Sequence, residues 1–138
     1  MKAKSKNKEK YIYAVGRRKS SSARIRLFKD KGESLVNEKP LKVYFPGKIN
    51  EVFLTQPFKV ADCLGEYFYT AKVVGGGKEG QRDAVVHGLA RALAKESPDK
   101  FKKLLRKAGL LTRDARERQR RMVGTGGKAR RKKQSPKR

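Results

Sequence analysis

Acidic residues, cysteine, histidine and tryptophan are all scarce in this sequence of 138 residues. Aspartate and glutamate number 13 against 38 lysine and arginine residues, which leaves a formal charge of +25. The single cysteine, Cys63, excludes an internal disulfide and a thiolate zinc site, and it is best interpreted as a small buried side chain. No apolar run approaches the length of a transmembrane helix. Charge is therefore the dominant feature of the chain.

Catalytic chemistry finds little support among the residues that are present. The only histidine, His87, lies inside a predicted helix, where packing or contact with RNA fits better than a role as a base. No serine, cysteine or lysine has an activating partner in a sequence pattern, and the carboxylates show no metal-site spacing. We therefore expect no enzyme activity, no cofactor, no metal and no small-molecule substrate.

The excess of positive charge predicts a polyanionic partner. A nucleic acid is favoured, because each phosphate that is neutralised also releases condensed counterions. A membrane surface is the electrostatic alternative, but it requires a helix with Trp, Phe or Leu along one face. The chain has no tryptophan, and its C-terminal segment contains no such face. We therefore expect no membrane partner.

Composition divides the chain into three regions: a basic leader over 1–10, a globular body over 11–111 and a basic tail over 112–138. The tail contains twelve Lys or Arg residues and only two acids, Asp114 and Glu117. Its few apolar side chains cannot offset the entropy cost of ordering it. We expect a disordered leader and a tail that orders on RNA. The leader lacks the apolar stretch of a signal peptide, so a location in the cytoplasm or in an equivalent organellar compartment is expected.

Alternating apolar and polar residues predict the strands of the body. They cover 11–15, 23–27, 35–37 and 67–74, with 16–22 as a loop and 41–45 as a weaker candidate strand. In the second strand Ala23, Ile25 and Leu27 face inward, while Arg24 and Arg26 face outward. The outward face of the sheet should therefore be basic.

Helical spacing follows the strands. A short apolar stripe of Ile49, Val52 and Phe53 ends at Pro57, and longer helices are predicted over 79–95 and from Ser97, which is a candidate N-cap. The expected buried residues are Val85, Gly88, Leu89, Ala92 and Leu93 in one helix, and Phe101, Leu104, Leu105 and Ala108 in the next, which Gly109 caps. The expected fold is α+β: a two-layer sheet of about four strands with helices on one face.

The segment Gly75–Gly80 satisfies the dinucleotide-binding pattern GxGxxG. A Rossmann unit also needs a second parallel strand after the helix, but another helix begins at Ser97, so the pattern lacks its context. Two interpretations stay open. Bare backbone N–H groups beside a helix N-terminus can receive phosphate, or the glycines form a flexible entry into the helix.

Several ordered motifs occur together in this chain. They are Ala14-Val15-Gly16-Arg17-Arg18-Lys19-Ser20, Gly75-Gly76-Gly77, Gly80-Gln81, Ala84, Gly88, Ala90-Arg91-Ala92-Leu93, Gly109-Leu110-Leu111-Thr112-Arg113-Asp114 and the terminal Lys137-Arg138. In this order they resemble the universal family of small-subunit ribosomal protein nine, in its bacterial form. The resemblance covers nearly all of the chain after the leader.

The resemblance implies a structural protein of translation. Members of that family have a two-layer α+β fold with a left-handed βαβ crossover, and they bind the 3′ (head) domain of small-subunit rRNA among neighbouring head proteins. Their tail reaches the anticodon stem-loop of P-site tRNA, where Lys137 and Arg138 would contact phosphates. The family's tail usually ends in an aromatic residue followed by Ser-Lys-Arg. Here the aromatic is missing and Pro136 is added.

Together, charge and resemblance give a set of residues expected to bind rRNA. They are Arg17, Arg18, Lys19, Ser20, Arg24, Arg26, Gly75, Gly76, Gly77, Lys78, Gln81, Arg82, Arg113, Arg116, Arg118, Arg120, Arg121, Lys128, Arg130, Arg131, Lys132 and Lys133. Two alternative functions stay open: an RNA-processing enzyme or its protein subunit, and a protein that compacts any nucleic acid. RNA cleavage would identify the first, and equally tight binding to duplex DNA the second.

Overall fold

The computed structural model describes residues 10–124 and places their core between one mixed sheet and the helices on one of its faces. The strands are β1 (Ile12–Arg18), β2 (Ser21–Phe28), β3 (Leu35–Val36), β4 (Lys39–Pro40) and β5 (Phe68–Val74). The helices are α1 (Leu41–Tyr44), α2 (Lys48–Val60), α3 (Lys78–Glu96), a π-helical turn (Pro98–Lys102) and α4 (Lys103–Lys107). The α+β prediction is confirmed.

The sheet has the strand order β1-β2-β5-β3-β4. β2 pairs antiparallel with β1 on one side and with β5 on the other, while β3 pairs parallel with β5. Parallel neighbours need a crossover connection, and the chain between β3 and β5 supplies one through α1 and α2. About four strands were expected, and the additional fifth strand, β4, is only two residues long. The left-handed sense of the crossover stays a prediction.

The alternation in β2 sets the two faces of the sheet, as predicted. Ala23, Ile25 and Leu27 are buried, while Arg24 and Arg26 point away from the core and are exposed. The helix α3 covers the inner face against β1 and β2, and all five of the residues predicted for its buried stripe are indeed buried.

Two glycines let α3 lie directly on β1. A Cβ on Gly16 would stand 1.9 Å from the carbonyl oxygen of Ala84 and 2.3 Å from the backbone nitrogen of Gly88. A Cβ on Gly88 would stand 2.6 Å from Cγ1 of Ile25. Backbone therefore meets backbone at this crossing, which fixes the height of α3 above the sheet.

The predicted loop over 16–22 is wrong. β1 continues through Arg18, β2 begins at Ser21, and only Lys19 and Ser20 form the turn. Arg17 and Arg18 pair with Ser22 and Ser21 across the ladder. Polar side chains are tolerated in these strand ends, and Lys19 takes the positive φ of 57° that a two-residue hairpin turn requires. The two basic side chains of the hairpin thus stand on a rigid ladder.

The weaker strand prediction at 41–45 is also wrong, because Leu41–Tyr44 is helical. The α2 prediction needs correction too. Pro57 lies inside the helix, in its final part, and packs into the core together with Leu54 and Phe58. Ile49, Val52 and Phe53 instead remain exposed. The helix therefore buries a different face from the one its first apolar residues suggested.

The last helical segment begins after Ser97, as predicted, although Ser97 makes no capping hydrogen bond with its side chain. Phe101 and Leu105 are buried, but Leu104 and Ala108 are exposed because only one narrow side of this short segment meets the core. Gly109 takes a φ of 75° just after α4. It thus ends the helix as expected.

Candidate nucleic-acid interface

The glycine segment packs against the β1–β2 turn. A Cβ on Gly75 would stand 2.7 Å from the carbonyl oxygen of Ser20, and one on Gly76 would stand 2.1 Å from Oγ of Ser21. Both glycines have positive φ, 77° and 63°. The buried Ser21 hydroxyl donates to the Gly75 carbonyl at 3.0 Å. Packing against the protein's own β1–β2 turn therefore accounts for the first two glycines, while the approach of a phosphate to this segment stays a prediction.

Gly77 differs from its neighbours, because nothing lies within 4 Å of the place its Cβ would occupy. It precedes the first turn of α3, whose N–H groups have no partner within the helix. The side chain of Gln81 connects the glycine segment to Tyr44. Its Nε2 donates to the Gly75 carbonyl at 2.9 Å, and its Oε1 accepts from the Tyr44 hydroxyl at 2.8 Å. The segment is therefore held in place, and the α3 N-terminus beside it carries a partial positive charge.

Two of the cations expected to bind rRNA are engaged within the protein itself. The Lys78 ammonium lies 3.3 Å from the centroid of the Tyr44 ring. Arg82 stacks over Phe53 at 4.2 Å and donates to the Asn50 side-chain oxygen at 3.0 Å, and its side chain is only 13% exposed. Arg82 thus ties α3 to α2 and offers little surface to a partner.

The start of the tail lies against the β1–β2 turn. Arg18 forms an ion pair of 2.7 Å with Asp114 and a longer one of 3.7 Å with Asp83 on α3. Asp114 also binds the guanidinium of Arg116 at 2.8 Å. Hydrogen bonds from the Arg116 side chain and backbone, together with the charge of Arg18, hold the pKa of Asp114 well below its usual range. These contacts define the tail root, residues 113–118.

An open cleft lies between the tail root and the β1–β2 turn. It is lined by Arg18, Lys19, Ser20, Arg116, Glu117 and Arg118. Two of its four cations, Arg18 and Arg116, are already paired with Asp114, so Lys19 and Arg118 are the cations best placed to bind a phosphate there. Body and tail each contribute to the cleft, which the sequence could not show because they are separated by nearly a hundred positions.

The exposed edge of β1 is covered by side chains of α3. Arg91 donates to the Val15 carbonyl at 2.6 Å and Lys95 to the Tyr13 carbonyl at 2.9 Å. His87 Nδ1 accepts the Arg17 backbone N–H at 3.3 Å. Sequence analysis left Arg91 and Lys95 out of the binding set. Their spacing from His87, four and eight residues, was the available signal, since residues 87, 91 and 95 share one helix face.

A second cationic cleft follows from this arrangement. It is lined by Val15, Arg17, His87, Arg91, Leu111 and Arg113. Burial lowers the pKa of His87, and the charges of Arg91 and Arg113 lower it further, against a hydrogen bond with the Leu111 backbone that raises it. The imidazole is therefore neutral near pH 7 and packs between β1 and the tail root.

The other predicted residues are distributed between the outer sheet face and the tail. Arg24 and Arg26 lie on the outer face, joined there by Lys72, which the sequence analysis missed. Arg118, Arg120 and Arg121 are exposed and lie outside any helix or strand. The remaining predicted tail cations lie outside the described residues: Lys128, Arg130, Arg131, Lys132, Lys133, Lys137 and Arg138.

Two other kinds of site receive no support from residues 10–124. Within this range no cluster of His, Cys, Asp or Glu has the arrangement of a metal site. None of the helices in the same range combines the length and hydropathy needed to cross a bilayer.

The fold and these clefts define a class: a small α+β domain with cations at one end and on the open face of its sheet. Residues 16–138 match the family described as ribosomal protein S9/S16, and the chain belongs to that family. The chain is 44% identical over 117 residues to the small ribosomal subunit protein uS9 of Maridesulfovibrio salexigens, covering 85% of this chain and 89% of that protein. The protein of the same name from Rickettsia rickettsii is 42% identical over 127 residues, which cover 92% of this chain and 79% of that protein. The resemblance noted from the sequence motifs is thereby confirmed.

Proposed function

We propose that this chain is a structural constituent of the small ribosomal subunit that acts in translation by binding rRNA, and that it is not an enzyme. The observation that carries this proposal is the match of residues 16–138 to a ribosomal protein family, together with relatives named as small-subunit proteins. The geometry supports it, because cations of the body and of the tail root line shared clefts. The cytoplasm, where small subunits act, is the proposed location.

The body binds RNA through the β1–β2 turn, the N-terminus of α3 and the two clefts beside the tail root. Lys19 and Arg116 line one cleft, and Arg17, Arg91 and Arg113 line the other. Each cleft contains guanidinium groups, a type of side chain that can bind a phosphate in a bidentate manner. Contacts of this kind fix position and orientation but carry no sequence information.

The proposed binding site on the RNA is the 3′ (head) domain of small-subunit rRNA. Neighbouring head proteins and the anticodon stem-loop of P-site tRNA are the further proposed partners. Lys137 and Arg138 would contact the tRNA. The support for this finer assignment is the sequence resemblance of the tail.

The test of rRNA binding compares the full chain with a variant that lacks 112–138. The logarithm of affinity falls linearly with the logarithm of salt concentration. If about six tail cations neutralise phosphates, they should contribute roughly −4 to −5 to the slope of the full chain, and the variant should lack this contribution. Filter binding to small-subunit rRNA over a salt series measures the slope. An unchanged slope after the deletion would contradict the role given to the tail, and failure of the full chain to sediment with small subunits would contradict the function itself.

The test of the tRNA contact removes only Lys137 and Arg138. Subunits assembled with this variant should form normally yet hold P-site tRNA more weakly, because two phosphate contacts are lost while the body is untouched. A matched control removes the charge of Lys103 and Lys107, which are exposed on α4 and line neither cleft beside the tail root. Equal tRNA affinity in all three kinds of particle would refute the contact.

A further inference from the structure

The outer face of the sheet is open, because the helices pack on the other face. The register places the outward residues of three strands in rows: Tyr13, Arg26 and Thr70 in one, and Val15, Arg24 and Lys72 in the next. A broad shallow groove runs over these rows. The face is therefore a surface continuous across β1, β2 and β5, which we call the outer sheet face.

Arg24 and Lys72 lie directly opposite each other across the β2–β5 ladder. Like charges in such a position destabilise a sheet. Neither forms an ion pair within the described part of the chain, and the groove's single acid, Glu38, lies beyond β3 at its far side. Arg26 adds a third cation two residues along. A pair that costs the free protein stability indicates an anionic partner.

Aromatic rings stand beside these cations. Tyr13 is the cross-strand partner of Arg26, and its side chain is 45% exposed. The Arg26 guanidinium lies 5.1 Å from the centroid of the Tyr11 ring. Beyond it, Phe28 stacks on Phe68 with centroids 4.8 Å apart. Rings interleaved with cations on an open sheet provide both stacking and charge, the two interactions that an RNA single strand offers.

We propose that the outer sheet face binds an unpaired stretch of RNA, with Tyr13 stacking on a base and with Arg24, Arg26 and Lys72 holding its phosphates. The proposal rests on the RNA-binding function proposed above and extends it to Tyr13 and Lys72. An acidic protein segment would satisfy the cations but would leave the exposed ring without a role. An RNA duplex would likewise offer phosphates while keeping its bases stacked inside.

The test uses full-length protein and two probes, a short oligoadenylate and an RNA duplex with the same number of phosphates. Tyr13→Leu removes the ring, and Tyr13→Phe keeps it. The double variant Arg24→Gln/Lys72→Gln removes two charges from the face, and Lys103→Gln/Lys107→Gln removes two from α4 as the matched control. Thermal unfolding of each variant verifies that the fold is intact.

Tyr13→Leu should weaken oligoadenylate binding by about 5-fold or more, the range expected for loss of one stacked base, and should leave duplex binding unchanged. Tyr13→Phe should bind both probes like the unaltered protein. The face double variant should weaken both probes more than the α4 control does. In addition, an oligoadenylate carrying 4-thiouridine should crosslink to the peptide that contains Tyr13.

Three outcomes would overturn the proposal. Unchanged oligoadenylate binding by Tyr13→Leu would remove the stacking role, and equal losses for both probes would leave a surface for duplex phosphates alone. Competition by oligoglutamate as effective as that by oligoadenylate would point to a protein partner. In each case the full chain could still bind small-subunit rRNA, so measuring that affinity in parallel separates failure of this inference from failure of the proposed function.

Discussion

The substitution Gly16→Ala tests the packing on which the whole interface depends. The added methyl would stand 1.9 Å from the Ala84 carbonyl oxygen and 2.3 Å from the Gly88 nitrogen, and both obstacles are backbone atoms of α3. To restore ordinary contact the helix and β1 must separate by roughly 1.5 Å, which breaks close packing along their length. Ordinary overpacking costs about 1–3 kcal/mol and is relieved by side-chain rotation. No rotation is available here, so we expect a loss of about 3 kcal/mol or more.

Urea unfolding followed by circular dichroism measures this loss against a matched glycine. Gly77→Ala puts the same methyl into open space at a φ of −97°, so its stability should stay within about 0.5 kcal/mol of the unaltered protein. Gly88→Ala should lie between the two, because its nearest obstacle is the Ile25 side chain. A Gly16→Ala protein destabilised by less than about 1 kcal/mol would refute the account of the α3–β1 crossing.

Three further predictions concern charge. Asp114→Asn should speed amide hydrogen exchange across the tail root while leaving the midpoint of global unfolding nearly unchanged. In the unaltered protein, an NMR titration should show Asp114 still ionised when the pH falls below its ordinary pKa of 3.8, because Arg116 lowers the pKa of Asp114. The lowered pKa of His87 predicts stability that is fully present above pH 6.5 and falls as pH drops towards the folded-state pKa; unfolding midpoints across pH should show this slope, and His87→Gln should abolish it. Lys72→Gln should raise stability by about 0.2–1 kcal/mol by relieving repulsion with Arg24, measured by urea unfolding, while lowering RNA affinity; a stability loss would contradict the repulsion.

The parts of the fold that follow a local period could be predicted from sequence. The alternation of Ala23, Ile25 and Leu27 with two arginines fixes both faces of β2, because successive side chains of a strand point to opposite sides. The buried stripe of α3 follows from its period in the same way. In both cases the core meets the element along the one face that its apolar residues mark.

Prediction failed where an element carries more than one apolar face or where the partner is distant in sequence. α2 has Ile49 and Val52 on one side and Leu54 and Phe58 on another. The second is buried because the elements around it, chiefly α3 but also α4 and Tyr69 of β5, pack against that side. The ion pair between Arg18 and Asp114 joins residues 96 positions apart and creates the cleft at the tail root. The glycines of 75–77 could be recognised in the sequence as a candidate site, but the close contact with Ser20 and Ser21 that requires two of them is visible only in the tertiary structure.

The few acids of this chain explain why its cations are not equivalent. Asp83 and Asp114 both bind Arg18, and that arginine thereby fixes the tail root beside the β1–β2 turn. Arg24 and Lys72 have no such acid and repel each other. With 38 basic and 13 acidic residues, neutralising every cation internally is impossible, and within the described residues Arg24 and Lys72 are among the cations without an ion pair. Salt should therefore act in opposite directions on the two states, screening repulsion in the free protein while weakening its hold on RNA.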